Sequence, residues 1–163
     1  MKKLFALMLA LCLMIGVAMA EEDLMQGEMF AMDTIGLQMF IPTGFVVDEN
    51  ATTDDGSQLL YAWKSEDDSG AFLKISAANM GEMTLDGFLE IVQAQIDPEA
   101  EIITLESGLN VIMFTNDAEG TVCAALVDTN SNIIGFEMGP TAEQREVVIV
   151  VFAMLIATLS PIQ

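Results

Sequence analysis

The chain has 163 residues, 53% of them hydrophobic, and it carries 25 acidic residues against five basic ones. A formal net charge of −20 repels phosphate backbones and anionic lipid surfaces, which argues against nucleic-acid binding. The chain contains no histidine. Ser-His-Asp and Cys-His catalytic arrangements are therefore excluded, as is a zinc site built on histidine.

The first twenty residues have the pattern of a secretory signal peptide. Lys2 and Lys3 form a basic start, residues 4–17 are apolar, and residues 18–20 (Ala-Met-Ala) supply the small residues of a cleavage site. We therefore predict cleavage before Glu21 and export, either to the periplasm and cell envelope or out of the cell, with no stable membrane insertion afterwards. A retained membrane anchor is the alternative.

The exported chain keeps all 25 acidic residues and only three of the five basic ones, which gives a net charge of −22. Such a surface keeps a protein dispersed, and it also attracts a cationic protein or a cationic small ligand. Cleavage removes Cys12, so an intramolecular disulfide is excluded. Cys123 lies in an apolar run, where a small buried side chain is the expected role.

The pattern of the remaining 143 residues predicts a single α+β domain over residues 35–163. Residues 21–34 are acidic and predicted to be loosely ordered, with a strand near residues 28–32. Residues 36–41 alternate in polarity, which is typical of a half-buried strand, and residues 42–44 (Pro-Thr-Gly) indicate a turn.

A hairpin is predicted from residues 59–64 and 71–77, because a polar segment rich in Ser, Asp and Gly separates two extended runs. Tyr61 and Trp63 share one face of the first strand. We expect them to pack across strands, and a surface for binding a ligand is the alternative.

A helix is predicted from Leu85 to about Ile96, with Thr84 as its N-cap. Asp97-Pro98 ends it, because the residue before a proline avoids the α region. One face of the helix is apolar, formed by Leu85, Phe88, Leu89, Val92 and Ile96.

Four short apolar runs then alternate with clusters of Gly, Asn, Asp and Ser, which is typical of an antiparallel meander. The runs are residues 102–105, 111–114, 121–127 and 133–138. Together with the hairpin they predict a curved antiparallel sheet of about six strands, with an N-terminal hairpin beside it and helices on its faces.

The last element is an apolar run over residues 147–159, with Thr141 as the predicted cap of a helix. Thirteen helical residues span about 20 Å, too short for a bilayer core of about 30 Å. We predict a buried helix, with a membrane tail anchor as the alternative and a strand as an alternative for its first half. A helix that is apolar on nearly every side needs cover beyond one sheet face, which suggests a homo-oligomer.

This order of elements resembles the Mog1/PsbP-like α/β/α sandwich, in particular its small secreted bacterial members. The resemblance rests on element order and on residues 36–45 (Gly-Leu-Gln-Met-Phe-Ile-Pro-Thr-Gly-Phe), which match the strand ending in an Ile-Pro-x-Gly-(Phe/Trp) turn. It implies a curved sheet with helices on both faces and a binding or assembly role without catalysis. Because the matching motif is a structural turn, the resemblance implies no functional residues.

Calcium is the one metal that the sequence suggests. Two acidic clusters, Asp54-Asp55 and Asp67-Asp68, flank one predicted strand and offer the hard oxygen ligands that calcium prefers. Neither cluster fits a calcium-binding EF-hand loop, and solvated turn residues are the competing interpretation. No other cofactor is predicted.

The leading hypothesis from the sequence is a secreted binding or assembly module without enzymatic activity. A structural protein that self-associates through its C-terminal helix is the first alternative. A carboxylate-based hydrolase acting on an extracellular polymer is the second, and it requires two acids in unlike environments.

Overall fold

The structure is a computed structural model that describes residues 26–53, 55–67, 69–142 and 144–162. The predicted signal peptide, residues 1–20, lies outside this part of the chain. The described residues form an α+β fold of ten strands and two helices. Within them, no helix is long and apolar enough to cross a membrane.

The strands are short and bounded by turns, as the alternation of apolar and polar segments predicts. They are β1 (Gly27–Met32), β2 (Leu37–Pro42), β3 (Phe45–Val47), β4 (Gln58–Ser65), β5 (Phe72–Asn79), β6 (Glu101–Thr104), β7 (Asn110–Asn116), β8 (Thr121–Val127), β9 (Asn132–Gly139) and β10 (Ser160–Pro161). The helices are α1 (Leu85–Gln95), between β5 and β6, and α2 (Arg145–Ala157), between β9 and β10.

Seven strands form one antiparallel sheet in the order β3-β4-β5-β9-β8-β7-β6. The predicted hairpin is β4 with β5, and the predicted meander is β6 to β9. Their join is the β5–β9 pair, whose register runs from Phe72 opposite Gly139 to Asn79 opposite Asn132.

A second sheet of three strands has the order β1-β2-β10. Strand β1 pairs with β2 over six residues, which confirms the strand predicted near residues 28–32. Residues 21–25, the start of the segment that was expected to be loosely ordered, lie outside the described residues. Alternation explains the outcome for β2. Leu37, Met39 and Ile41 are buried and the residues between them are half-buried, so one side of the strand faces the core.

The two helices pack on opposite faces of the seven-stranded sheet. Val92 of α1 is fully buried in a small cluster with Ile112, Phe114 and Ala125. Thr84 caps α1 as predicted, since its hydroxyl accepts a hydrogen bond from the Gly87 N–H at 3.1 Å. Ile96 does not belong to the buried face. It is the C-cap residue, its backbone has left the helix, and it is 42% exposed.

Helix α2 packs with the three-stranded sheet against the other face of the large sheet. Phe152, Leu155 and Ile156 share one cluster with Met39 of β2 and Phe136 of β9. The second sheet therefore supplies the additional cover that this apolar helix needs. A second copy of the chain is therefore not needed to cover this helix. The oligomeric state itself stays a prediction.

The predicted cap of α2 is wrong. The helix begins at Arg145, and Gln144 at its N-cap makes no side-chain capping hydrogen bond. Thr141 is buried, and its N–H donates to the carbonyl oxygen of Gly120 at 2.8 Å. Thr141 therefore closes the large sheet against the β7–β8 turn.

Candidate functional site

Helix α1 packs on one face of the seven-stranded sheet and covers only part of that face. Its cluster draws on β6, β7 and β8 and reaches β9 at Ile133. Farther along β9 and on the neighbouring β5, the same face carries half-buried side chains that belong to neither core cluster. We call this region the open face and define it as Phe72, Lys74, Ser76, Gly135 and Glu137.

The register of β5 and β9 brings these residues together in pairs. Lys74 stands opposite Glu137, and Ser76 stands opposite Gly135. Side chains directly opposite in an antiparallel pair have Cβ atoms about 5 Å apart. Phe72 lies on the same side as Lys74, and the Lys74 ammonium sits 5.0 Å from the centre of its ring.

Burial raises the pKa of the Glu137 carboxyl above its ordinary value. Lys74 and the Thr121 hydroxyl act in the opposite direction, while the negative charges of Glu119 and Asp55 raise the pKa further. Within the described residues, no salt bridge joins Lys74 to Glu137. Glu137 is therefore a half-buried carboxyl without an ionic partner of its own in this part of the chain.

Gly135 leaves the end of the open face nearest α1 without a side chain. Its φ is not positive, so its backbone does not require glycine. Among the described residues, a Cβ atom placed there would meet only the Ser76 hydroxyl within 4 Å, at 3.5 Å. Glycine inside a strand often marks a place where a ligand or another chain approaches closely.

Lys64 lies beside the open face, because it pairs with Phe72 across β4 and β5. It is exposed and donates to Asp48 at 3.3 Å. Lys64 and Lys74 are the only lysines after residue 3, so both lysines of the exported chain lie on this side of the sheet.

The acidic clusters predicted for calcium stand at opposite ends of β4, an eight-residue strand that spans about 23 Å. The Asp55 carboxylate accepts hydrogen bonds from Ser57, and the Asp67 carboxylate accepts them from Ser65 and Ser69. These bonds lower the pKa of both groups. Asp54 and Asp68 lie outside the described residues, within which no metal-binding group of three or more such side chains occurs.

Tyr61 and Trp63 lie between the two sheets. Phe30 of β1 meets both rings edge-on, at 5.5 Å from Tyr61 and 5.1 Å from Trp63. Tyr61 and Trp63 are packing residues, as predicted. Their shared partner, Phe30, lies in the three-stranded sheet and not on a neighbouring strand of their own sheet. Trp63 is 3% exposed, so it packs between the sheets, and its suggested role as an interaction residue stays a prediction.

Cys123 stands opposite Glu137 on β8 and is half-buried. Burial raises the pKa of its thiol to about 12. At neutral pH almost none of it is thiolate, which is the nucleophilic form. This agrees with the predicted role of a small apolar side chain.

Sequence reasoning missed Gly135 and Glu137. The signal was present, because a glycine and a glutamate interrupt an otherwise apolar strand. Gly135 and Glu137 form a site only because β5 is the neighbouring strand and because α1 covers part of the sheet face. The residues of β9 alone indicate neither of these two facts.

No family model matches the chain, and no curated protein matches it. Among solved structures, the chain is similar to cyanobacterial PsbP (CyanoP) from Synechocystis sp. PCC 6803, with a TM-score of 0.59 and 11% identity over 85% of this chain and 94% of that one. This likeness confirms the predicted PsbP-like fold.

Two further solved structures are similar to a lesser degree. The Ran-binding protein Mog1p of Saccharomyces cerevisiae has a TM-score of 0.49 and 10% identity over 86% of this chain and 97% of that one. A protein of Bacteroides thetaiotaomicron VPI-5482 has a TM-score of 0.46 and 16% identity over 84% of this chain and 49% of that one.

Proposed function

We propose that this protein is an exported, non-enzymatic binding module that holds a cationic segment of another protein on its open face. The observation that carries the proposal is the part of the α1-side sheet face that lies outside the α1 cluster, where half-buried polar and aromatic groups extend along β5 and β9 from Gly135. Its place of action is the periplasm, the cell envelope or the medium, as the N-terminal sequence predicts.

Charge supports a cationic partner over an anionic one. The exported chain carries −22, and the negative charges of Glu119 and Asp55 act on Glu137 alongside the ammonium of Lys74. Complementary charge speeds encounter and disfavours partners of the wrong sign. A small cationic ligand meets the same electrostatic requirement and is a competing occupant.

The chemistry of the side chains supports binding over catalysis. The chain has no histidine, and the one thiol on this face has a pKa of about 12. A bulky side chain at Gly135 should block the open face and leave the fold intact, because an added Cβ would make only an ordinary contact, with the Ser76 hydroxyl at 3.5 Å.

The test is affinity capture from the exported fraction of the source cells with wild type, Gly135→Trp and Thr129→Trp. Thr129 is exposed in the β8–β9 turn and provides a control for the added indole. A protein bound by wild type and Thr129→Trp but lost with Gly135→Trp, and bound again when purified, supports the proposal. Equal binding to all three variants overturns it.

One observation favours a carboxylate-based hydrolase as a second candidate. The pKa of Glu137 is raised, in part by the charge of Asp55, and that of Asp55 is lowered. Such unlike carboxyl groups are what acid–base hydrolysis requires. Cleavage of an extracellular polysaccharide by wild type, abolished in Glu137→Gln, would favour this candidate over the binding module.

A further inference from the structure

We infer that the open face receives a lysine or arginine side chain of the partner, whose aliphatic stem lies over Ser76 and Gly135 and whose cationic head group meets Glu137. This inference rests on the proposed function and adds to it the chemical group that is recognised. Three features of the open face support it: its shape, its charge and its glycine.

The shape fits a long, unbranched side chain. Ser76 and Gly135 form one opposed pair with small side chains, and Lys74 and Glu137 form the next pair. Two residues along a strand are about 6.7 Å apart, which is close to the reach of a lysine side chain. A stem that lies over Gly135 therefore brings its head group to Glu137.

The charge fits a cation. The negative charges of Glu119 and Asp55 act on Glu137 together with the ammonium of Lys74. Lys74 is held over Phe72, and it stands across the strand pair from Glu137. Within the described residues Lys74 forms no salt bridge with Glu137, so this carboxyl is open to a cationic head group from the partner.

The glycine has no evident structural role. Glycine inside a strand costs about 0.5–1 kcal/mol relative to alanine, and neither φ nor packing requires one at position 135. A position that gives up stability without a structural reason is a mark of a binding site. A side chain there would occupy the space that the partner's stem needs.

The test uses 15N-labelled protein and a defined probe, the blocked pentapeptide Ser-Thr-Lys-Thr-Ser, titrated at low ionic strength. We expect saturable shifts of the backbone amide signals of Ser76, Gly135 and Glu137. The same peptide with norleucine in place of lysine should bind at least tenfold more weakly, since it keeps the stem and lacks the charge.

Glu137→Gln should weaken binding of the lysine peptide at least tenfold, whereas Glu90→Gln should change it less than twofold. Glu90 is exposed on α1 and outside its apolar face, so the control removes the same charge elsewhere. Equal effects of the two substitutions would mean non-specific attraction to an acidic protein and would overturn the inference, as would the absence of shifts at the open face.

Gly135→Val provides a second test, because a β-branched residue suits a strand and blocks the stem. We expect an unchanged thermal midpoint or a higher one, with binding lost. If this variant does not fold, Glu137→Gln decides alone. If Gly135→Trp still abolishes partner capture while Glu137→Gln changes nothing, the inference fails and the proposed function stands.

Discussion

Individual acidic residues of this chain differ in what surrounds them. The carboxylates of Asp55, Asp67 and Asp128 accept hydrogen bonds from nearby turn residues, and the pKa of each is lowered. Glu137 differs because it lies half-buried in the middle of a sheet, where its pKa is raised. The turn carboxylates are therefore satisfied within their own loops, and the charge of Glu137 is disfavoured by the fold.

Glu137→Gln is expected to raise the free energy of unfolding at pH 7. A carboxyl whose pKa is higher in the folded protein binds its proton more tightly there, so wild type loses stability as pH rises through the interval between the unfolded and folded pKa values. At pH values above that interval wild type has lost the full amount of stability, and at pH values below it wild type has lost none. The variant should therefore gain most at neutral pH, and its gain should disappear on acidification.

Urea unfolding of wild type and Glu137→Gln between pH 4 and pH 8 measures this difference, with Glu90→Gln as the matched control at an exposed site. A difference between wild type and Glu137→Gln that stays constant over the whole range, or that grows towards acid, would contradict the assignment.

At the scale of elements, helix α1 shows how local chemistry sets a boundary. Thr84 has an extended backbone and its hydroxyl accepts a hydrogen bond from the Gly87 N–H, so one of the free N–H groups of the first turn is satisfied within the chain. Helix α2 lacks such a cap. It begins at Arg145, about one turn after the start predicted with Thr141 as the cap. Its start depends on packing, because its β-branched residues favour no helix by themselves.

Thr84→Ala is expected to lower the free energy of unfolding by about 1 kcal/mol, the usual cost of losing an N-cap side chain. Thr84→Ser should recover most of that loss, since serine offers the same acceptor. Thr129→Ala is the control at an exposed turn. Chemical denaturation gives all three values, and a loss for Thr84→Ala no larger than that for Thr129→Ala would show that the cap contributes nothing.

At the scale of the whole molecule, the small sheet is joined to the large one through aromatic contacts and through the end of α2. Phe30 meets Tyr61 and Trp63 edge-on, and the Thr158 hydroxyl of the α2 C-cap accepts from the Phe40 N–H at 3.0 Å. Strand β10 then pairs with β2. The two sheets should therefore unfold together.

Trp63 is the sole tryptophan of the chain, so its fluorescence reports directly on this contact. We expect fluorescence and far-UV circular dichroism to give coincident urea transitions for wild type. Phe30→Ala removes two aromatic contacts worth about 0.5–1.5 kcal/mol each, as well as buried area, and should lower the midpoint of both transitions.

Phe30→Leu, which keeps most of the apolar volume, should lose less. If Phe30→Ala leaves the Trp63 emission and both midpoints unchanged, the proposed coupling of the two sheets is wrong.

Much of the fold could be predicted because it depends on neighbours in sequence. The alternation of Leu37, Met39 and Ile41 predicted the buried side of β2, and Thr84 predicted the start of α1 to the residue. Turn residues marked the meander correctly. Each of these signals acts over a few residues, where side-chain direction and backbone preference dominate.

The sequence by itself predicted the two helices, the hairpin, the antiparallel meander, the PsbP-like order and the acidic composition. Tertiary structure alone decided that the C-terminus returns to β2, that a second sheet covers α2, and that β5 lies beside β9. These contacts join residues far apart in the chain, and a residue's own neighbours carry no information about them. The open face exists for the same reason, since Glu137, Gly135 and Lys74 become one site only where β5 and β9 pair and α1 ends short of them.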